Sequence, residues 1–171
     1  MLINGLSNSI IATVAAGAGP RALCYNPTSS KVYCANYSDS SVTVLDGAGD
    51  TVVATLLVRR GPRALCHNPT DNKVYCADSG RSMVSVIDCA GDSVVATVPT
   101  GSMPRALCYN PTNNRIYSAD WGNSRVTVID GATNSVIATV VLMRDQPMAC
   151  CYDPLHNRVY VACRGHPCYR T

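Results

Sequence analysis

"GPRALCYNPTSSKVYCAN" at residues 19–36 returns almost unchanged as "GPRALCHNPTDNKVYCAD" at residues 61–78, and twice more in weaker form. The marker prolines Pro20, Pro62, Pro104 and Pro147 are spaced by 42, 42 and 43 residues. In step with them run Cys24, Cys66, Cys108 and Cys151, then Tyr33, Tyr75, Tyr117 and Tyr160. In the first three copies Asp46, Asp88 and Asp130 follow. A repeat of this length is one supersecondary unit, which buries its apolar faces only against its neighbours.

Four short runs make up each unit; in the second copy they are "RALCH", "KVYCA", "MVSVID" and "SVVATV". They are too short for helices and rich in Val, Tyr, Ile and Thr, with Gly, Pro, Asn and Asp between them. "NPTSSK", "NPTDNK" and "NPTNNR" read as tight turns, as do "DGAGDT", "DCAGDS" and "DGATNS". Four antiparallel strands per repeat describe the blade of a β-propeller. The expected fold is therefore all-β: a β-propeller of four-stranded antiparallel blades, about four to the chain. The repeats run over residues 20–61, 62–103 and 104–146, with 147–171 completed by 1–19. Together they make a single domain over residues 1–171, or an arc of one.

"NPTNNRIYSAD…NSRVTVIDGATNSVIATV" closely resembles the YVTN-type β-propeller repeat, and the resemblance covers almost the whole chain. The chain departs from that pattern in carrying Cys where Val or Ala is commoner, and in having only about four blades. The resemblance implies a binding or scaffolding protein with no single activity attached, found at the cell surface or secreted by archaea and bacteria. A propeller enzyme of lactonase-like or redox type is the alternative, as is a fragment of a larger surface-layer propeller.

Composition narrows the field. Apolar residues are 47% and charged residues 15% of the 171, which excludes disorder and provides for a sizeable core. A net charge of +3 with no Lys/Arg cluster is not the footprint of a nucleic-acid binder. No apolar run reaches the ~18 residues of a membrane helix, so no membrane insertion is expected. The opening "MLINGLSNSIIATVAAGAGP" imitates a signal peptide but lacks a basic start. Its "NSIIATV" at residues 8–14 also matches "NSVIATV" at residues 134–140, which makes it part of the fold.

Six of the ten cysteines follow the repeat, and the position held by Cys34 and Cys76 becomes Ser118 and then Val161. A packing position accepts that exchange; a disulfide or metal site does not. Arg21, Arg63 and Arg105 change to Met148 where Asn36, Asp78 and Asp120 change to Cys163, which suggests that these positions face each other across two strands. That register puts position 24 opposite Tyr33 and position 23 opposite Cys34, so Cys24 and Cys34 point to opposite faces. Between blades, sheets ~10 Å apart are too distant for a disulfide. Cys150, Cys163 and Cys168 lie off the repeat near His166. "CRGHPC" could bring Cys163, His166 and Cys168 to one metal, the alternative being a frayed terminus. No cofactor is expected.

The "NPT" and "DGA" turns hardly vary and share one rim of a propeller. The other two connections share the opposite rim and vary. They carry Tyr37, Arg59, Arg60, Arg81, Met103, Trp121 and Arg144. Trp, Tyr and Arg are the usual anchors of interfaces, so this rim is the candidate binding face for a protein or glycan. Arg21, Arg63 and Arg105 admit two readings: a cationic channel mouth, or structural ion pairs of Arg63 with Asp78 and Arg105 with Asp120. The joint change at Met148 and Cys163 favours the ion pairs. No GxSxG elbow, HExxH pair or phosphate loop is present, and His67, His156 and His166 occupy unrelated positions, so catalysis is not expected. An arc of four blades leaves two apolar end faces, which predicts a homodimer or further blades in a longer chain.

Overall fold

Each repeated turn closes through its own first side chain. Asn26, Asn68 and Asn110 accept hydrogen bonds from the amides of Thr28, Thr70 and Thr112, each at 2.9 Å. Asp46, Asp88 and Asp130 do the same for Gly49, Gly91 and Thr133. The last residue of every "NPT"-type turn is left-handed, with φ between 49 and 53° at Ser30, Asn72, Asn114 and Asn157. Turns of this kind bring consecutive strands back antiparallel.

The computed structural model describes residues 1–143 and 145–165. Strands β1 (Leu2–Ile3) and β2 (Ile10–Ala12) form a two-stranded sheet at one end. Three four-stranded blades follow. The first is β3 (Pro20–Asn26), β4 (Lys31–Asn36), β5 (Ser41–Asp46) and β6 (Thr51–Leu57). The second is β7 (Pro62–Asn68), β8 (Lys73–Asp78), β9 (Met83–Asp88) and β10 (Ser93–Pro99). The third is β11 (Pro104–Asn110), β12 (Arg115–Asp120), β13 (Arg125–Asp130) and β14 (Val136–Val141). A second two-stranded sheet, β15 (Gln146–Asp153) and β16 (Arg158–Arg164), closes the order. The first strands β3, β7, β11 and β15 touch in succession, while β15 and β3 make no such contact, so the molecule is an open arc of a β-propeller.

Its core lies between blades. Tyr33, Val42 and Val44 of the first blade bury against Val74, Cys76, Ile87 and Cys89 of the second. Tyr75, Val84, Val86 and Val98 of the second bury against Ile116 and Ile129 of the third. Alternation along each strand sends one set of side chains to each neighbour, and full burial of one Val or Ile contributes about 1.5–3 kcal/mol. Polar ties lock the stack: the Lys31 ammonium meets Asp92 of the next blade at 2.6 Å.

The strand register holds at Leu23–Cys34 and Cys24–Tyr33, but slips one residue further along. Pro20, not Arg21, faces Asn36, because a β-bulge leaves Arg21 unpaired; Arg63, Arg105 and Met148 are displaced in the same way. The expected pairing of positions 21 and 36 is thus corrected by an extra residue that strict alternation does not reveal.

All nine described cysteines are free; Cys34, Cys76, Cys89 and Cys108 are buried, Cys151 and Cys163 exposed. Burial pushes the Cys24 thiol up to about 11 and holds Cys76 well above its ordinary value, so both stay protonated. Of the expected cluster near the chain end, Cys168 and His166 lie outside the described residues, and Cys150 meets the preceding blade. It occupies the position of Leu23, Leu65 and Leu107, and its thiol donates to the Tyr117 carbonyl of that blade at 4.0 Å. The expectation of ~10 Å between blades fails here, because neighbouring first strands approach within 8 Å near the axis.

Candidate binding rim

The two variable connections of each blade are hydrogen-bonded to one another. Tyr37 and Ser38 amides donate to Gly19 and Ala18, Ser79 and Gly80 to Gly61 and Arg60, Trp121 and Gly122 to Met103 and Ser102, at 2.8–3.2 Å. Gly61 makes the close approach possible: its φ is +72°, and a Cβ there would stand 3.1 Å from the Gly80 nitrogen and 3.3 Å from the Tyr37 ring. The invariant turns meet on the opposite rim, where Gly47, Cys89 and Gly131 amides donate to Ser30, Asn72 and Asn114.

On the variable rim, Tyr37 and Arg60 line a recess of about 310 Å³ with Ser38, Ser40, Gly61 and Gly80. Arg59 and Arg81 are exposed on the connections beside it. Trp121 stands on the third blade in a 3-10 turn (Trp121–Asn123), half-buried and packed toward β15, with its indole nitrogen buried and unpartnered among the described residues. Exposed Met103 closes that loop. Arg144 lies outside the described residues, as do His166 and Cys168. Cys163 is exposed, and no group of three His, Cys, Asp or Glu side chains is arranged for a metal among the described residues.

The bulged arginines complete the rim. The Arg21 guanidinium stacks 4.4 Å above the Tyr37 ring, and Arg105 lies 5.7 Å above Trp121. Half-buried Arg63 stands between them; desolvation, and then the positive charges of Arg105 and Arg21, lower its affinity for its own proton. The ion pairs among the described residues are Lys31–Asp92 and Asp153–His156, so the expected Arg63–Asp78 and Arg105–Asp120 pairs do not form. The bulge turns each Arg outward while the carboxylate turns into its blade. Asp78 accepts from Ser85 at 2.6 Å; Asp120 accepts from Thr127 at 2.5 Å, Ser118 at 2.7 Å and the Gly101 amide at 3.0 Å. Burial pushes Asp78 up to about 7 and Asp120 in the same direction.

Arrays of guanidinium groups without carboxylates to neutralise them are equipped to hold anions, and Arg does so bidentately. Reading the sequence placed Tyr37, Arg60 and Trp121 on this rim but assigned their arginine partners to structure. The available signal was an aromatic residue sixteen positions after the bulged Arg in two repeats, Arg21 with Tyr37 and Arg105 with Trp121.

No family model matches the sequence, and neither does any curated protein. Among solved structures, the chain resembles a Kuenenia stuttgartiensis hydrazine synthase chain at 21% identity and TM-score 0.79, covering 94% of this chain and 45% of that one. It resembles U3-55K and the WD40 repeats of RRP9 at 13% identity and TM-score 0.70, covering 86% of this chain and 52% of each. The chain thus spans about half the length of the structures it matches. These likenesses define the class by fold: a β-propeller.

Proposed function

We propose that this chain is a protein-binding scaffold, a β-propeller of the YVTN type, whose variable rim takes an acidic segment of a partner protein. The observation that carries this reading is the row Arg21, Arg63 and Arg105, free of acidic partners among the described residues, with two of the three laid on aromatic rings. Propellers lend themselves to such use, since loops on a rigid scaffold can vary without loss of the core. Tyr37 and Arg60 frame the recess that receives a side chain beside the arginine row, and Arg59 and Arg81 extend the positive surface.

Fluorescence anisotropy with a labelled Glu-rich peptide, its Gln counterpart and a sulfated glycan tests the reading. The Glu peptide binds, the Gln peptide does not, and affinity falls with salt. The double replacement Arg63→Ala, Arg105→Ala weakens binding at least tenfold, since a charge-assisted hydrogen bond contributes about 1.5–3 kcal/mol. Equal binding by the replaced protein refutes the site. Preference for the glycan moves the assignment to a carbohydrate partner.

A further inference from the structure

The blades are held together by a rule that the two ends of the arc leave half-used. A basic residue opening the second strand of each blade grips the turn between third and fourth strands of the next. Lys31 reaches the Cys89 carbonyl at 3.3 Å and Asp92 at 2.6 Å. Lys73 reaches the Gly131 carbonyl at 2.8 Å and Asn134 at 3.2 Å. By the repeat, Arg115 and Arg158 occupy the gripping position, and Gly47 with Asp50, and Gly5 with Asn8, occupy the gripped one. Both arginines are exposed and neither makes an ion pair among the described residues.

The end sheets are complementary halves of one blade. β1–β2 carries the turn of a third-to-fourth-strand connection: the Asn4 side chain accepts from the Leu6 and Ser7 amides, and Asn8 has φ 55° against 56° at Asn134. It also carries the fourth-strand bulge, at Ile11. β15–β16 carries the first-strand bulge and the left-handed Asn157 of a first-to-second-strand turn. Between β1–β2 and the first blade opens a mostly apolar cleft of about 760 Å³, lined by Leu2, Leu23, Val32, Leu45, Gly47 and Asp50 among others. Leu23 is 70% exposed there, whereas Leu65 and Leu107 pack against a neighbouring blade. At the other end Tyr117 is only half-buried, although Tyr33 and Tyr75 are fully buried.

We propose that a second copy of this chain fills the cleft: β15–β16 of one chain enter beside β1–β2 of the other and complete a shared blade. Arg158 then grips Asp50 and the Gly47 carbonyl of the second copy, and Arg115 grips its Gly5 carbonyl and Asn8. The same joint at both ends closes two arcs into one ring, with three blades from each chain and two shared blades. The pairing is independent of what the rim binds.

Light scattering at about 20 µM gives twice 18.1 kDa. Arg158→Glu alone or Asp50→Arg alone weakens association at least tenfold. Their equimolar mixture restores it, because both joints then place opposite charges together. Cys151, exposed in the single chain, loses reactivity toward a thiol reagent as concentration rises through the association range. A monomer at 20 µM, a dimer unmoved by either reversal, or a Cys151 that reacts equally at all concentrations overturns the proposal.

Discussion

Asn36 and Asp78 occupy the same buried position in successive blades and satisfy it with opposite chemistry. The Asn36 amide donates to Ser41 and Thr43, whereas the Asp78 carboxylate accepts from Ser85. Burial raises Asp78 to about 7 from an ordinary carboxylate value of 3.8. Between those values the folded chain holds a proton that the unfolded chain has released. This contribution to stability is therefore complete below about pH 4 and is lost as pH rises through about 7, in the direction Asp120 also follows. Asp78→Asn removes the loss. The variant should gain on the wild type by roughly 1–3 kcal/mol between pH 4 and pH 8, with the precedent of Asn36 for the fold. Urea unfolding of both proteins at the two pH values reads the difference directly; parallel profiles would place the proton elsewhere.

At the scale of the element, the Tyr of the second strand shows why a blade needs its neighbour. The Tyr75 hydroxyl donates to Asn134 at 2.9 Å and to the Gly131 carbonyl at 3.1 Å, both on the third blade, while its ring fills the interblade core. Tyr75→Phe keeps the ring and removes a hydroxyl that shares both acceptors with Lys73, so urea unfolding should show a loss of only about 0.5–1.5 kcal/mol. Strands and turns such as these were legible in the sequence, because four copies repeat the turn residues at one spacing and alternation within a run fixes which side chains are buried. The bulge after Pro20, Pro62 and Pro104 was not. An inserted residue shifts the pairing by one without altering composition or period, so Arg63 and Arg105 were assigned to Asp78 and Asp120 when they face outward. The surroundings of Cys150 were hidden for a related cause: its neighbour Cys151 carries the repeat, and only the convergence of first strands brings Cys150 to the Tyr117 carbonyl of the third blade. Of the rim, the residues on loops were legible by their variation among copies. Those on the bulge repeat, and repetition looks the same whether it serves packing or binding.

The whole molecule is a stack in which each blade contacts only the next, so its stability is distributed along one dimension. Among the described residues the second blade alone is covered on both faces by complete blades, with Val74, Cys76, Val84, Val86 and Ile87 all at 0% exposure, whereas every residue of β14 is exposed. Amide hydrogen exchange on the dilute chain should be slowest in β8 and β9 and fastest in β2 and β14; uniform protection would mean that the ends are covered. The two ends of the arc are also unlike surfaces, so any joint between them runs head to tail, and nothing within the joint fixes the number of copies. Closure depends on the wedge angle between blades, and the small side chains of Cys24, Cys66 and Cys108 lie on the first strands, where neighbouring blades come closest. Bulkier groups at these positions would flatten the curvature, and a joint that fails to meet itself propagates as a helical filament.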